Sequence, residues 1–118
     1  MADGRSAKPG ELWSRAQMIE AGLVAADLQV RYDLVGGAYA VVDFDWAGRL
    51  VGEFDGLRKY CRDLRPGESP EDAVVREKIR EDELRDLGLG VVCWTWKDLR
   101  YDTMIPRVRR ALLRAGLR

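Results

Sequence analysis

The sequence predicts an α/β protein in which a mixed sheet is flanked by helices, and three observations carry that prediction. Gly36-Gly37 separates two runs that read as strands, a strong hairpin signal. Ser69-Pro70-Glu71-Asp72 combines a capping serine, proline at the first helical position and acids in the first turn, which marks a helix start. Downstream of that helix, LGVVCWTW at 89–96 is apolar, branched and aromatic, as in a strand buried on both faces.

The elements follow in order. Residues 1–9 are polar and small and read as a flexible N-terminus, leaving 10–118 as a single domain. From Gly10 to about Ala21, the helical spacing of Leu12, Ala16, Ile19 and Leu23 predicts an apolar face, with Gly22 placed to end the helix. Leu28 to Val35, Ala38 to Trp46 and Arg49 to Asp55 form three antiparallel strands, the last two joined near Ala47-Gly48. Leu57 to Gly67 is irregular, and the capped helix runs from Ser69 to about Leu87, stopped by Gly88. After strand 89–96, Asp102 or Thr103 caps a last helix whose face is Ile105, Val108, Leu112 and Ala115. The predicted order is α-β-β-β-α-β-α, a meander, a crossover helix and one more strand.

Composition bounds the function. A chain of 118 residues is one domain, and 47% hydrophobic with 34% charged residues is ordinary for a soluble globular protein. Lysine plus arginine equals aspartate plus glutamate at 20 each, so polyanion binding has to come from local patches. The absence of histidine excludes the usual general base, the serine and cysteine triads and most transition-metal sites. Cys61 and Cys93 lack a CxxC spacing and read as reduced thiols. No signal peptide or membrane-spanning run is visible, so the expected location is the cytoplasm.

The chemistry concentrates in VVDFDWAGRLVGEFDG, 41–56. Alternation along a strand predicts that Asp43 pairs with Asp45, and Glu53 with Asp55, on one face of each strand. Carboxylates that close repel unless a cation or a proton sits between them, and oxygen ligands suit a hard cation such as Mg²⁺. Simple solvent exposure of one acid in each pair is the competing reading.

The blocks GELWSR at 10–15, VDFDW at 42–46, LVGEFDGLRKY at 50–60, REKIREDELRDLG at 76–88 and VVCWTWKDL at 91–99 appear in an order that resembles the PD-(D/E)xK nuclease superfamily. More closely, they resemble small actinobacterial domains related to very-short-patch-repair (Vsr-like) endonucleases. The resemblance implies a restriction-endonuclease-like core, Mg²⁺ (or Mn²⁺) as cofactor, DNA as partner and phosphodiester hydrolysis as activity. It places Asp43 as the metal-binding aspartate, Glu53 as the glutamate of E-x-K and Glu11 as an additional upstream acid, with Asp55 a fourth acid at the metal. Asp55 stands where the common pattern has lysine, although similar close relatives often carry aspartate there. Lys59, Lys78 and Arg80 are the candidates to supply the missing positive charge. A helical projection places Arg76, Arg80 and Glu83 on the face of Val75, Ile79 and Leu87, expected to meet the sheet, and Lys78 nearer the opposite side. Geometry therefore favours Lys59 or Arg80, while the family text around REKIRED keeps Lys78 open.

Other residues have readings of their own. Trp94 and Trp96 are expected in the core, Trp46 over its edge with stacking on a base as the alternative, and Gln29 and Tyr32, which resemble polar positions near the site in related nucleases, as ordinary strand residues. Arg107, Arg110, Arg114 and Arg118 form a stripe opposite the apolar face of the last helix, suited to a phosphate backbone or simply solvated. Two function classes follow. One is a metal-dependent DNA endonuclease, acting alone, as a homodimer or with a fused or separate partner domain. The other is a catalytically inactive module of the same fold that binds DNA or a protein partner in a defence or toxin-antitoxin context.

Overall fold

A computed structural model describes residues 9–56 and 69–117; Lys59, Cys61, Arg118, the N-terminal segment 1–8 and the whole of the expected irregular stretch 57–67 lie outside them. The described elements are α1 (Pro9–Glu20), β1 (Asp27–Asp33), β2 (Tyr39–Trp46), β3 (Leu50–Asp55), α2 (Pro70–Asp86), β4 (Gly90–Thr95), α3 (Trp96–Arg100) and α4 (Met104–Arg114). The four strands form one mixed sheet in the order β1-β2-β3-β4, with β1, β2 and β3 antiparallel and β4 parallel to β3. The expected meander, crossover helix and final strand are all present. The short helix α3 is additional: the strand expected to reach Trp96 stops at Thr95, where Asp98 Oδ2 accepts the Thr95 N–H at 3.0 Å and starts a helical turn.

Local chemistry sets the turns. Ala47 (φ 57°) and Gly48 (φ 64°) are both left-handed, as a type I′ hairpin requires, and Asp45 Oδ1 accepts the Gly48 N–H at 2.8 Å. Gly36 and Gly37 (φ 75° and 79°) turn the chain between β1 and β2. Ser69 caps α2 as expected, accepting the Asp72 N–H at 3.1 Å.

Helices cover both faces of the sheet. The larger core packs Phe44, Trp46, Leu50 and Trp94 against Met18 of α1, Leu99 of α3, and Met104, Val108 and Leu112 of α4. Trp46 is buried within it and donates its indole N–H to the Val24 carbonyl at 3.0 Å, more deeply placed than an edge cover. The smaller core packs Ala40, Val42 and Val51 with Leu84 of α2 and Leu89. As an edge strand, β4 buries one side fully, at Val92 and Trp94, and the other only partly, where Val91 packs against the smaller core.

Two helix faces are rotated from their expected positions. On α1, Leu12 and Ile19 are exposed, and Gly10, Glu11, Ser14 and Met18 are buried. The small residues win because they permit close contact. A side chain at Gly10 would collide with the Phe54 ring, and Ser14 accepts the Trp94 indole N–H at 2.8 Å while donating to the Gly10 carbonyl at 2.6 Å. On α2, Val75, Ile79 and Leu87 are exposed and Leu84 is buried in their place, while Arg80 reaches the sheet as expected. Polar partners waiting on β3 outweigh the apolar stripe there.

Close packing at Gly10 makes a prediction. Gly10→Ala should lower stability by about 1–3 kcal/mol, the usual cost of overpacking a tight contact, read as a lower midpoint in urea denaturation. An unchanged midpoint would contradict the docking of α1 on Phe54.

Candidate active site

The site begins where the sheet breaks its own pattern. Asp27, Leu28 and Val30 to Asp33 all pair with β2, but Gln29 and Asp43, which would face each other, do not. Gln29 has a left-handed backbone (φ 52°), which costs a residue with a Cβ about 1 kcal/mol or more. Side-chain alternation reverses at this level: Val42 packs in the α2-side core and Phe44, two residues on, in the opposite one. The β2–β3 ladder likewise ends at Phe44 opposite Gly52. Beyond that point β2 and β3 diverge, and Asp43 sits in the fork.

Its carboxylate takes over the ladder's work. Asp43 Oδ2 accepts the Phe54 N–H at 2.9 Å, and Asp43 Oδ1 receives the Gln29 amide at 3.4 Å. The same Gln29 nitrogen donates to Glu11 Oε1 at 3.1 Å, so one amide spans two carboxylates on α1 and β2. Burial pushes the Asp43 carboxyl up to about 6 from 3.8, the Phe54 N–H offsets part of this, and the nearby charges of Glu11 and Glu53 raise it further.

Arg80 reaches the cluster from α2. Its guanidinium grips Glu53 with a two-pronged pair, Nη1 to Oε1 and Nη2 to Oε2, both at 2.7 Å. Nη1 also meets Glu77 Oε1 at 3.2 Å, and Arg76 pairs with Glu77 at 3.4 Å. Burial alone would lower the Arg80 pKa, but Glu53, Glu77 and Asp43 outweigh it and hold the guanidinium charged. Burial raises the Glu77 carboxyl, with Arg80 pulling the other way.

The remaining expected residues are distributed as follows. Asp55 is buried on β3, in register with Thr95. Lys78 points to solvent and pairs with Asp82 at 3.3 Å, away from the acids. Asp45 does not join Asp43: it caps the hairpin turn and accepts the Tyr32 hydroxyl, whose pKa rises to about 12 through burial and this bond. Trp96, expected in the core, is 39% exposed and lies edge-on to Phe54 and tilted against Trp13. Cys93, expected as a reduced thiol, is disulfide-bonded. Gln29, read as an ordinary strand residue, instead bridges two acids of the cluster, and Glu77 joins it from α2 through Arg80. A left-handed glutamine leaves no mark in composition or spacing, and Glu77 becomes visible only once α2 is known to turn its charged side inward.

The donors, all oxygens and mostly anionic, are chemically suited to a hard cation. Their present arrangement is closed: Arg80 holds both oxygens of Glu53, and Gln29 bridges Glu11 and Asp43. Among the described residues no three acidic or other ligand side chains converge closely enough to hold a metal ion. No helix among them is long and apolar enough to cross a membrane. Comparison with family models, curated proteins and solved structures finds no match to the chain.

The raised Asp43 pKa fixes a sign. Between about pH 4 and pH 6 the folded protein keeps a proton that the unfolded chain has released, so this group's contribution to stability is lost as pH rises through about 6. Asp43→Asn should therefore stabilise the protein at pH 8 by about 1–2 kcal/mol and bring no gain at pH 4, measured by urea denaturation at both values. Equal or lower stability of the variant at pH 8 would contradict the strained carboxylate.

Proposed function

We propose that this chain is a restriction-endonuclease-like domain of the PD-(D/E)xK type, akin to Vsr-like endonucleases, that hydrolyses DNA phosphodiester bonds with Mg²⁺ or Mn²⁺. The observation that supports it best is the fork at Asp43. A half-buried carboxylate, Asp43, stands between Glu11 and Glu53 with its pKa raised by desolvation and by their charge, and a guanidinium is brought to the same cluster by a separate helix. Placing acids from β2 and β3 against one cation gives an electrostatic setting for a phosphate and its attacking water.

In this reading Asp43 and Glu53 would hold the metal, with Glu11 and Asp55 as further acids that could join them. The metal, when bound, supplies Lewis acidity and lowers the pKa of water. As a ligand Asp43 would have to be deprotonated, so metal affinity would rise with pH through about 6. Arg80 exchanges Glu53 for a phosphate oxygen, offering the N–H donors and positive charge that lysine supplies in the common pattern. Gln29 keeps Glu11 and Asp43 oriented.

One observation favours a second reading. The Arg80–Glu53 pair is two-pronged and only 22% exposed on each side, so Arg80 can serve as a permanent internal counter-ion, leaving a non-catalytic module that binds DNA or a protein partner.

Divalent-metal titration by calorimetry, followed by incubation with single- and double-stranded DNA, separates the two. The nuclease reading expects Mg²⁺ or Mn²⁺ binding that Asp43→Ala and Glu53→Ala abolish. It also expects cleavage that Arg80→Ala slows by about 100-fold or more. Metal binding without cleavage favours the second reading, and absence of both sinks the first.

A further inference from the structure

The other end of the sheet carries a different kind of surface. A groove of about 630 Å³ opens beside the start of β3 and β4 and is lined by Arg49, Arg85, Arg107 and Arg114 over an apolar floor that includes Leu50 and Ala111. Acidic side chains are missing from its lining among the described residues. Leu50 lines the groove and Glu53 belongs to the acid site, so roughly 10 Å of β3 separates them, three residues at about 3.3 Å each.

Two of these arginines have acidic partners: Arg85 pairs with Glu81 at 2.8 Å, and Arg107 pairs with Asp98 at 3.3 Å while donating to the Cys93 carbonyl. Arg49 and Arg114 have no carboxylate within ion-pair distance among the described residues. Arg114 Nε donates to the Arg110 carbonyl at 3.4 Å. In a chain whose charges sum to zero, that is a local surplus of positive charge. Arg107, Arg110 and Arg114 follow one another three and four residues apart on α4, so the cations recur every 5 Å or so along the helix, about 1.5 Å per residue. A recurring row of planar forks suits a recurring anion better than a single carboxylate.

We propose that this groove docks the phosphate backbone of double-stranded DNA, with Arg49 and Arg114 each neutralising a phosphate. The proposal extends the reading above to a second surface, and its test excludes divalent cations so that failure of docking and failure of cleavage are read separately. The full chain in EDTA is titrated against a fluorescein-labelled duplex by anisotropy across a series of KCl concentrations. The Arg49→Ala/Arg114→Ala double variant is compared with wild type and with Lys97→Ala, which lies outside the groove. Circular dichroism confirms that each variant is folded.

The double variant should bind at least about tenfold more weakly at moderate salt. The slope of log affinity against log salt should flatten by about 1.8, two phosphates at about 0.9 each. Lys97→Ala should match wild type. An unchanged slope in the double variant, or an equal loss in Lys97→Ala, overturns the proposal. Binding of inorganic pyrophosphate or poly-glutamate in the groove without duplex binding overturns it as well.

Discussion

The acid cluster depends on one hydrogen bond, from the Phe54 N–H to the Asp43 carboxylate. Where the β2–β3 ladder stops, the Phe54 donor has no strand carbonyl opposite it, and a buried N–H left without an acceptor costs about 1–3 kcal/mol. The Asp43 side chain meets that need, and in doing so it is fixed between β2 and β3 with its second oxygen turned toward Gln29. The left-handed backbone of Gln29 and the reversal of side-chain alternation between Val42 and Phe44 are the distortions that open the fork. Their cost is local strain together with a carboxylate held at a pKa near 6.

The helices complete what the fork begins. Because Gly10 has no side chain, α1 lies against the Phe54 ring, and Glu11, the next residue, is thereby brought within reach of the Gln29 amide. From the other face α2 presents Arg80 and Glu77, leaving Val75 and Ile79 in solvent. Three acids and a guanidinium are thus assembled from four separate elements, α1, β2, β3 and α2. Phe54 links the fork to the packing of α1, which makes the site sensitive to that packing.

Much of this was legible in the sequence, for reasons that can be named. The turn at Ala47-Gly48, the Ser69 cap and the order of the elements rest on local chemistry, which sequence carries directly. Asp43, Glu53, Glu11 and Arg80 were identified as candidates, and the structure brings them together. Helix rotation was not legible, because hydrophobic periodicity assumes that the most apolar face is buried. On α1 and α2 that assumption loses to close packing of Gly10 and Ser14 and to the pull of Glu53 on Arg80. Alternation also failed at Asp43 and Asp45, since a reversal inside a strand moves neighbours off a shared face. The exposed Trp96 follows from the turn that Asp98 starts at Thr95.

The central claim is that Asp43 is a strained, half-buried carboxylate held in the fork by a backbone donor. Its most direct test is a carbon-13 NMR titration of the Asp43 carboxyl in metal-free protein, with the Phe54 amide proton followed in the same samples. The account predicts a midpoint near pH 6 and a shift of the Phe54 amide that tracks it. A midpoint near 4, the ordinary value for aspartate, with a Phe54 amide that does not respond, would contradict it.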